Sequence, residues 1–254
     1  MTLHLNHTQP VGGVPFSVAT PQQAAQWVAE TSLKLKSGIH IHLANAYTVA
    51  LADKSAEYRE TLTAGAVNFP DGKPVGAVSA LRRDRPRLHQ VRGPQLMLDT
   101  LAATQKSGAR SYFLGSTSEV LTALERNVRA AYPHAKIVGI ESPPFRALSE
   151  RERADQIERI RASGANIVWV GLGTPKQDVV ARELAAELPV AAVAVGAAFD
   201  FAAGTLKPSP QWVRSVGLEW AHRLYLEPRR LWRRYLFGNS RFLLAAIRWG
   251  RRED

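Results

Sequence analysis

Asp71 sits in the segment Asn68-Phe69-Pro70-Asp71-Gly72-Lys73-Pro74. Proline and glycine on either side hold its carboxylate on a tight turn, a position from which a general base reaches a sugar hydroxyl. Pro-Asp-Gly is also an ordinary turn sequence, and alone the segment is satisfied by that role. A second segment, ANIVWVGLGTPKQD from Ala165 to Asp178, runs from an apolar strand pattern through a glycine turn into a helical pattern. Gly171 and Gly173 let backbone amides approach a ligand, Thr174 and Pro175 lead into the first helical turn, and Lys176 with Gln177 offers a cation and a two-sided amide. That set suits a phosphate-bearing ligand, although a plain strand-to-helix turn uses the same glycines. Asn45, in His42-Leu43-Ala44-Asn45-Ala46, stands where a strand becomes a helix and can cap that helix or read a base or sugar. Asp200 follows the apolar run before Gly196 and can bind a ligand, cap a helix or pair with an arginine further on.

Elements with strand and helix periodicity alternate around these positions. A helix starts at Pro21 behind a Thr20 cap and runs to about Lys36. Ile39 to Leu43 alternates as a strand, and a helix follows from Ala46 toward Leu62. Val67 to Phe69 is a short strand, Pro94 to Lys106 a helix, Ser111 to Gly115 a strand and Ser118 to Ala131 a helix. Lys136 to Ile140, Ile167 to Gly171 and Val190 to Gly196 complete the strands; helices over Ser149 to Ser163 and Thr174 to Leu188 complete the alternation. This rhythm predicts an α/β fold: a mostly parallel, Rossmann-like sheet covered by helices on both faces. Asn45, Asp71, Gln177 and Asp200 then all fall at the carboxyl edge of the sheet, where open α/β proteins bind ligands.

Composition narrows the classes. The 254 residues are 45% hydrophobic and 22% charged, ordinary for a globular chain. The lack of cysteine removes disulfides, thiolate nucleophiles and cysteine metal sites. His40 and His42 alternate as strand neighbours do, which is a packing pattern rather than a metal spacing. No basic and apolar leader opens the chain, and the longest apolar run, Val190 to Phe199, is about half a bilayer-spanning length. A cytoplasmic protein is expected, with any membrane contact peripheral. Of the net charge of +11, residues 207–254 carry +7, in a tail that also holds Trp212, Trp220, Trp232 and Trp249. Arginine interleaved with tryptophan and tyrosine suits an anionic membrane surface and equally nucleic acid; an equal alternative is that Trp232 and Trp249 pack the tail onto the core. The chain is accordingly divided into a core, 1–206, and a helical appendage, 207–254, with breaks expected at Pro208-Ser209-Pro210, Glu227-Pro228 and Gly238-Asn239.

The ordered set Gly13-x-Pro15-Phe16, His42-x-x-Asn45-Ala46, Phe69-Pro70-Asp71-Gly72, Val91-x-Gly93-x-x-Leu96-Met97, Phe113-Leu114-Gly115, Gly171 to Gln177, Val195-Gly196-x-x-Phe199-Asp200 and Gly217-Leu218-Glu219-Trp220-x-x-Arg223 resembles the WecG/TagA/CpsF family of bacterial glycosyltransferases over roughly Gly13 to Leu244. The resemblance implies an inverting, metal-independent and cofactor-free transfer. A sugar, of N-acetylmannosamine, hexose or uronic type, passes from a UDP-sugar to a polyprenyl-diphosphate-linked glycan in surface polysaccharide assembly at the inner face of the cell membrane. By motif, Asp71 matches the general base, and Gln177 matches a second catalytic-site residue that lines the nucleotide-sugar pocket. Asn45, Gly115, Gly171, Gly173, Thr174, Lys176 and Asp200 match the donor pocket, and Arg223, Arg230 and Arg233 match appendage arginines that close over the diphosphate. The family often has Thr where Leu43 stands, Glu where Tyr47 stands, and Arg-Val-x-Gly where this chain has Gln90-Val91-Arg92-Gly93; Arg92 is expected to stand in for the missing arginine at the acceptor diphosphate, which requires its side chain to point the other way from the strand or loop. These departures bear on donor choice.

Two other classes compete. A nonenzymatic nucleotide- or nucleic-acid-binding α/β protein would use the basic tail on phosphates. A nicotinamide oxidoreductase is disfavoured, because Gly171-x-Gly173 lacks the third glycine of the dinucleotide fingerprint. With the transferase reading, no nucleic-acid partner is expected, and a homo-oligomer stays open.

Overall fold

Ile167, Val168, Trp169 and Val170 are each completely buried, and they alternate: Ile167 and Trp169 enter the apolar cluster on one face of a sheet, Val168 and Val170 the cluster on the other. A strand apolar on both sides must be covered on both sides, the condition of a parallel sheet. The computed structural model describes residues 5, 7–82, 85–207, 209–210, 213, 219–226 and 228–253. Its main sheet comprises β3 (Ile39–Ala44), β4 (Ala66–Pro70), β5 (Arg110–Gly115), β6 (Lys136–Glu141), β7 (Ile167–Gly171) and β8 (Ala191–Ala194), all parallel, in the order β4-β3-β8-β7-β5-β6. The fold is α/β and Rossmann-like. A separate antiparallel hairpin, β1 (Thr8–Val11) and β2 (Val14–Ser17), precedes the sheet.

Helices α1 (Pro21–Thr31), α5 (Gly93–Ser107), α6 (Ser118–Ala131) and α9 (Ala198–Ala203) share one core cluster, which contains Val28, Met97, Leu124 and Phe199. Helices α7 (Glu150–Ser163) and α8 (Lys176–Glu187) share the opposite one through Ile160 and Leu184. In α6 the buried Leu121, Leu124 and Val128 recur at helical spacing. Thr20 caps α1 as expected, with Pro21 in the first turn.

Several elements depart from the sequence expectation. The helix expected from Ala46 toward Leu62 is two helices, α2 (Ala46–Lys54) and α3 (Ala56–Thr63), because Ser55 leaves the helical region and its hydroxyl accepts from the Tyr58 amide as a new cap. Helix α1 stops at Thr31 rather than near Lys36. Helix α8 begins at Lys176, and Pro175 stands outside it at the cap position. The β1–β2 hairpin, α4 (Lys73–Ala80) and α9 have no counterpart in the sequence reading.

The tail forms α10 (Glu219–Leu226) and α11 (Pro228–Glu253). Gly238 and Asn239 do not break α11. Gly238 lies against α2, where an added Cβ would come within 3.1 Å of the Tyr47 ring, so the small residue serves helix contact rather than a turn. Phe242 and Ala245 of α11 are buried against α2 and the hairpin. The hairpin turn Gly12-Gly13 has φ of +62° and +78°, the conformation of a tight two-residue turn. A Cβ on Gly13 would lie 2.7 Å from the Trp249 ring. Trp249 thus packs on the core and Arg59 lies 5.0 Å over its ring, whereas Trp232 is 43% exposed.

One carboxylate fastens this helix. Asp53, near the end of α2 and with its side chain only 2% exposed, accepts from Arg241 Nε at 3.1 Å and from Arg248 at 3.0 Å. Charge-assisted bonds to a buried carboxylate are the stronger kind. Replacing Asp53 by Ala is expected to cost about 2 kcal/mol. At roughly 2–4 °C per kcal/mol for a chain of this size, the melting temperature should fall by about 4–8 °C. In the same variant, limited proteolysis should cut within 228–253 faster than in the wild type; unchanged cleavage would show that the pair does not fasten the helix.

Candidate active site at the carboxyl edge of the sheet

Parallel pairing brings the six strand ends to one edge. There Ala44 of β3 is in register with Pro70 of β4, so the next residues, Asn45 and Asp71, are neighbours across the pair. The Asp71 amide donates to the Ala44 carbonyl at 2.9 Å, which extends the ladder by one bond and fixes the turn carrying the carboxylate. Gly72 follows with φ +102°, a conformation that only glycine adopts without strain, and the chain then enters α4. Asn45 is a cap: its Oδ1 accepts from the amides of Tyr47 at 3.0 Å and Thr48 at 3.3 Å, and its own amide donates to the Thr48 hydroxyl. The cap sets the plane of the Asn45 amide at the edge of the sheet.

The segment holding Arg92 is drawn to the same place. The Val91 amide donates to the Pro70 carbonyl at 2.8 Å, and Gly93 opens α5 so close to the Val195 backbone that a Cβ would stand 2.6 Å from its carbonyl oxygen. Residues 91–93 therefore touch the ends of β4 and β8, the two strands that flank β3. Arg92 occupies the cap position of α5 and is partly buried.

On the other side of the crevice, Gly115 pairs with Gly171 across β5 and β7, and the Ser116 amide donates to the Gly171 carbonyl at 3.2 Å. Gly171 is small for packing reasons: a Cβ there would come within 2.8 Å of the Phe199 ring. Gly173 faces open space in a left-handed conformation, Thr174 joins Pro175 through a cis peptide, and Lys176 is exposed at the start of α8. Gln177 is 3% exposed. Its Nε2 reaches the Thr174 hydroxyl only at 3.5 Å, and its Oε1 is buried with no donor. Both amide atoms face Gly196, whose missing Cβ would lie 3.8 Å and 3.9 Å from them. Asp200 lies in the first turn of α9, partly buried, and its carbonyl accepts from Leu206 and Thr205.

The edge thus gathers Asn45 with Asp71, Gly115 with Gly171, and Gln177 with the Gly196 turn, while the Arg92 segment bridges two strand ends. Arg223, Arg230 and Arg233 fall on α10 and α11, and their side chains lie outside the described part of the structure. The sequence model of the glycosyl transferase WecG/TagA/CpsF family matches residues 9–254. The chain belongs to that family. Membership in this glycosyltransferase family implies a nucleotide-sugar donor and a glycan acceptor. Among the described residues no helix is long and apolar enough to cross a membrane.

Beneath the crevice, this WecG/TagA/CpsF transferase contains a buried polar chain that the sequence reading treats only as packing. Asp178, next to Gln177, accepts from the Tyr58 hydroxyl at 2.7 Å and lies 2.9 Å from His42 Nδ1. His42 Nε2 lies 2.9 Å from His40 Nδ1, and His40 Nε2 lies 3.1 Å from the Ala64 carbonyl. The alternation of His40 and His42 is the one trace of it in the sequence, since it puts both rings on one face of β3; Asp178 comes from 136 residues away.

Burial and the adjacent His42 ring hold the His40 pKa down to about 4 from its ordinary 6.5. Between those values the unfolded chain binds a proton here and the folded chain does not, so stability falls as pH drops through that window. The melting temperature should decline from pH 6.5 toward pH 4, and His40→Gln should flatten that decline. Identical acid limbs for the two proteins would show that the ring is not held neutral.

Proposed function

We propose that the protein is an inverting glycosyltransferase that moves a sugar from a UDP-sugar to a polyprenyl-diphosphate-linked glycan, working at the inner face of the cell membrane. The observation that carries this reading is the placement of the Asp71 turn beside Asn45 on adjacent strand ends, together with a buried Gln177 that follows β7, faces the Gly196 turn after β8 and has an amide oxygen with no donor. A buried acceptor left unpaired costs about 1–3 kcal/mol, and an O–H or N–H of a bound sugar would remove that cost.

In this mechanism Asp71 removes the proton of the acceptor hydroxyl as its oxygen attacks the anomeric carbon. The bond from that carbon to the UDP oxygen breaks on the opposite face, which inverts the configuration, and UDP departs with the bonding pair. The growing charge on the diphosphate needs fixed cations or dipoles. Arg92 at the edge, the N-terminus of α8, which has no side-chain cap, and the appendage residues Arg223, Arg230 and Arg233 supply them. The donor side comprises Asn45, Gly115, Gly171, Gly173, Thr174, Lys176, Gln177 and Asp200, and no metal or other cofactor is invoked.

The membrane part rests on α11. Its inner residues Phe242 and Ala245 are buried, while Leu243, Leu244 and Ile247 are 54%, 61% and 56% exposed along a helix rich in arginine. An apolar stripe flanked by cations suits the headgroup level of an anionic bilayer and would bring the appendage to a lipid-linked acceptor.

Screening UDP-sugars against a short-chain polyprenyl-diphosphate-GlcNAc acceptor, with product mass as readout, tests the activity directly. Within it, Asp71→Asn should lower turnover by about a hundredfold or more while UDP-sugar affinity stays within about twofold. Wild-type turnover in that variant would remove Asp71 from the role of base. Ending the chain near Lys207 should abolish transfer to a lipid-linked acceptor, and full activity in that truncation would separate the appendage from the reaction.

A further inference from the structure

We infer that Asp178, through its bonds to His42 and Tyr58, is the positioning residue that fixes Gln177 in the donor crevice; the inference rests on the proposed transferase reading.

Three observations lead there. First, the start of α8 lacks the usual support. Pro175 occupies the cap position without a side-chain cap bond, Gly173 before it faces open space, and the Gln177 and Asp178 amides bond carbonyls of the turn itself, Gly173 at 2.9 Å and Pro175 at 3.0 Å. Such bonds close the turn on itself but do not tie it to the sheet. Second, Gln177 itself has almost no hold: one contact at 3.5 Å to Thr174 and an unpartnered Oε1. A long amide side chain held so weakly needs its backbone fixed if it is to present the same atoms to each ligand. Third, the residue directly after it is the most firmly bonded in the turn. The Asp178 carboxylate is 2% exposed and receives bonds from two elements, His42 of β3 and Tyr58 of α3.

Proton accounting shows how stiff this anchor is. The chain of contacts from Asp178 through His42 and His40 to the Ala64 carbonyl has three links, and each link needs one proton. The Ala64 carbonyl can only accept, so His40 carries a proton on Nε2; neutral His40 then accepts on Nδ1 from His42 Nε2–H. The third proton lies between His42 Nδ1 and Asp178. Whether it resides on the ring or on the carboxyl, the set is electroneutral and every link is made. A buried polar chain complete in this way is rigid, whereas removal of one member strands the others. The groups facing it are Tyr58 from α3 and, beside His40, Arg182 of α8, which is itself paired with Glu60 at 2.6 Å.

The test is a double-mutant cycle on the full chain, with UDP-sugar KM and kcat measured on the lipid-linked acceptor. Asp178→Leu keeps the approximate size but offers no polar atom to His42 Nδ1 or to the Tyr58 hydroxyl, and should raise donor KM by about tenfold with a smaller change in kcat. Gln177→Ala should raise donor KM as well. In the Gln177→Ala background, Asp178→Leu should add less than about twofold, because its effect passes through the missing amide. Tyr58→Phe, which deletes one bond to the carboxylate and keeps the ring, should repeat the pattern at about threefold and serves if Asp178→Leu does not fold. Fully additive losses would identify a general structural role and overturn the inference, as would wild-type KM in both Asp178→Leu and Tyr58→Phe. A wild-type protein that neither binds nor turns over any UDP-sugar overturns the transferase reading first and this inference with it.

Discussion

Parallel pairing dictates the layout of this molecule. Strands that run the same way cannot be joined by a tight turn, so each connection must cross a face of the sheet, and in this chain those crossings are the helices that bury Trp169, Phe113 and Val168. The same requirement sends all six carboxyl ends to a single edge. Residues far apart in sequence become neighbours there: Asn45 meets Asp71 because Ala44 is in register with Pro70 and the Asp71 amide bonds the Ala44 carbonyl. Glycines then decide how closely the edge can close, at Gly93 against Val195 and at Gly171 against Phe199.

What the sequence reveals follows the range of the forces involved. The strands of the main sheet and most of the long helices are legible because their apolar periodicity is local and strong. The N-terminal hairpin escapes notice because Gln9, wholly buried, breaks its pattern; its amide nitrogen donates to the Ser79 carbonyl, a partner 70 residues on. Helix α4 is obscured by Pro74 and Gly76, residues that signal turns. The false break at Gly238 has the opposite cause: glycine is a helix breaker by intrinsic preference, but its lack of a side chain is what lets α11 approach Tyr47. At the edge, Asp71 and the loop from Gly171 to Gln177 stand out by residue type. The support beneath them does not, because Asp178 and His42 belong to different elements and carry no local signature.

Two buried carboxylates hold different parts of the structure by different means. Asp178 sits among neutral or exchangeable partners inside the sheet-helix layer, where low polarizability makes a complete hydrogen-bond set strong and an incomplete one costly. Asp53 faces arginines whose side chains are 45% and 55% exposed. Water screens that pair more, so it is the more reversible of the two attachments. The rigid attachment thus lies under the catalytic edge and the softer one lies where α11 meets the core.

The contact between the Gly12-Gly13 turn and the Trp249 ring joins the earliest strands of the chain to its last helix. During synthesis the hairpin is made long before the surface that covers it, and the chain-entropy cost of closing a loop grows with its length. On a chain made from its amino end, α11 cannot dock until the last residues have been added. Until then Phe16, Val49 and the bare glycine turn are without their cover, and the nascent core keeps an apolar face open to other chains and to chaperones.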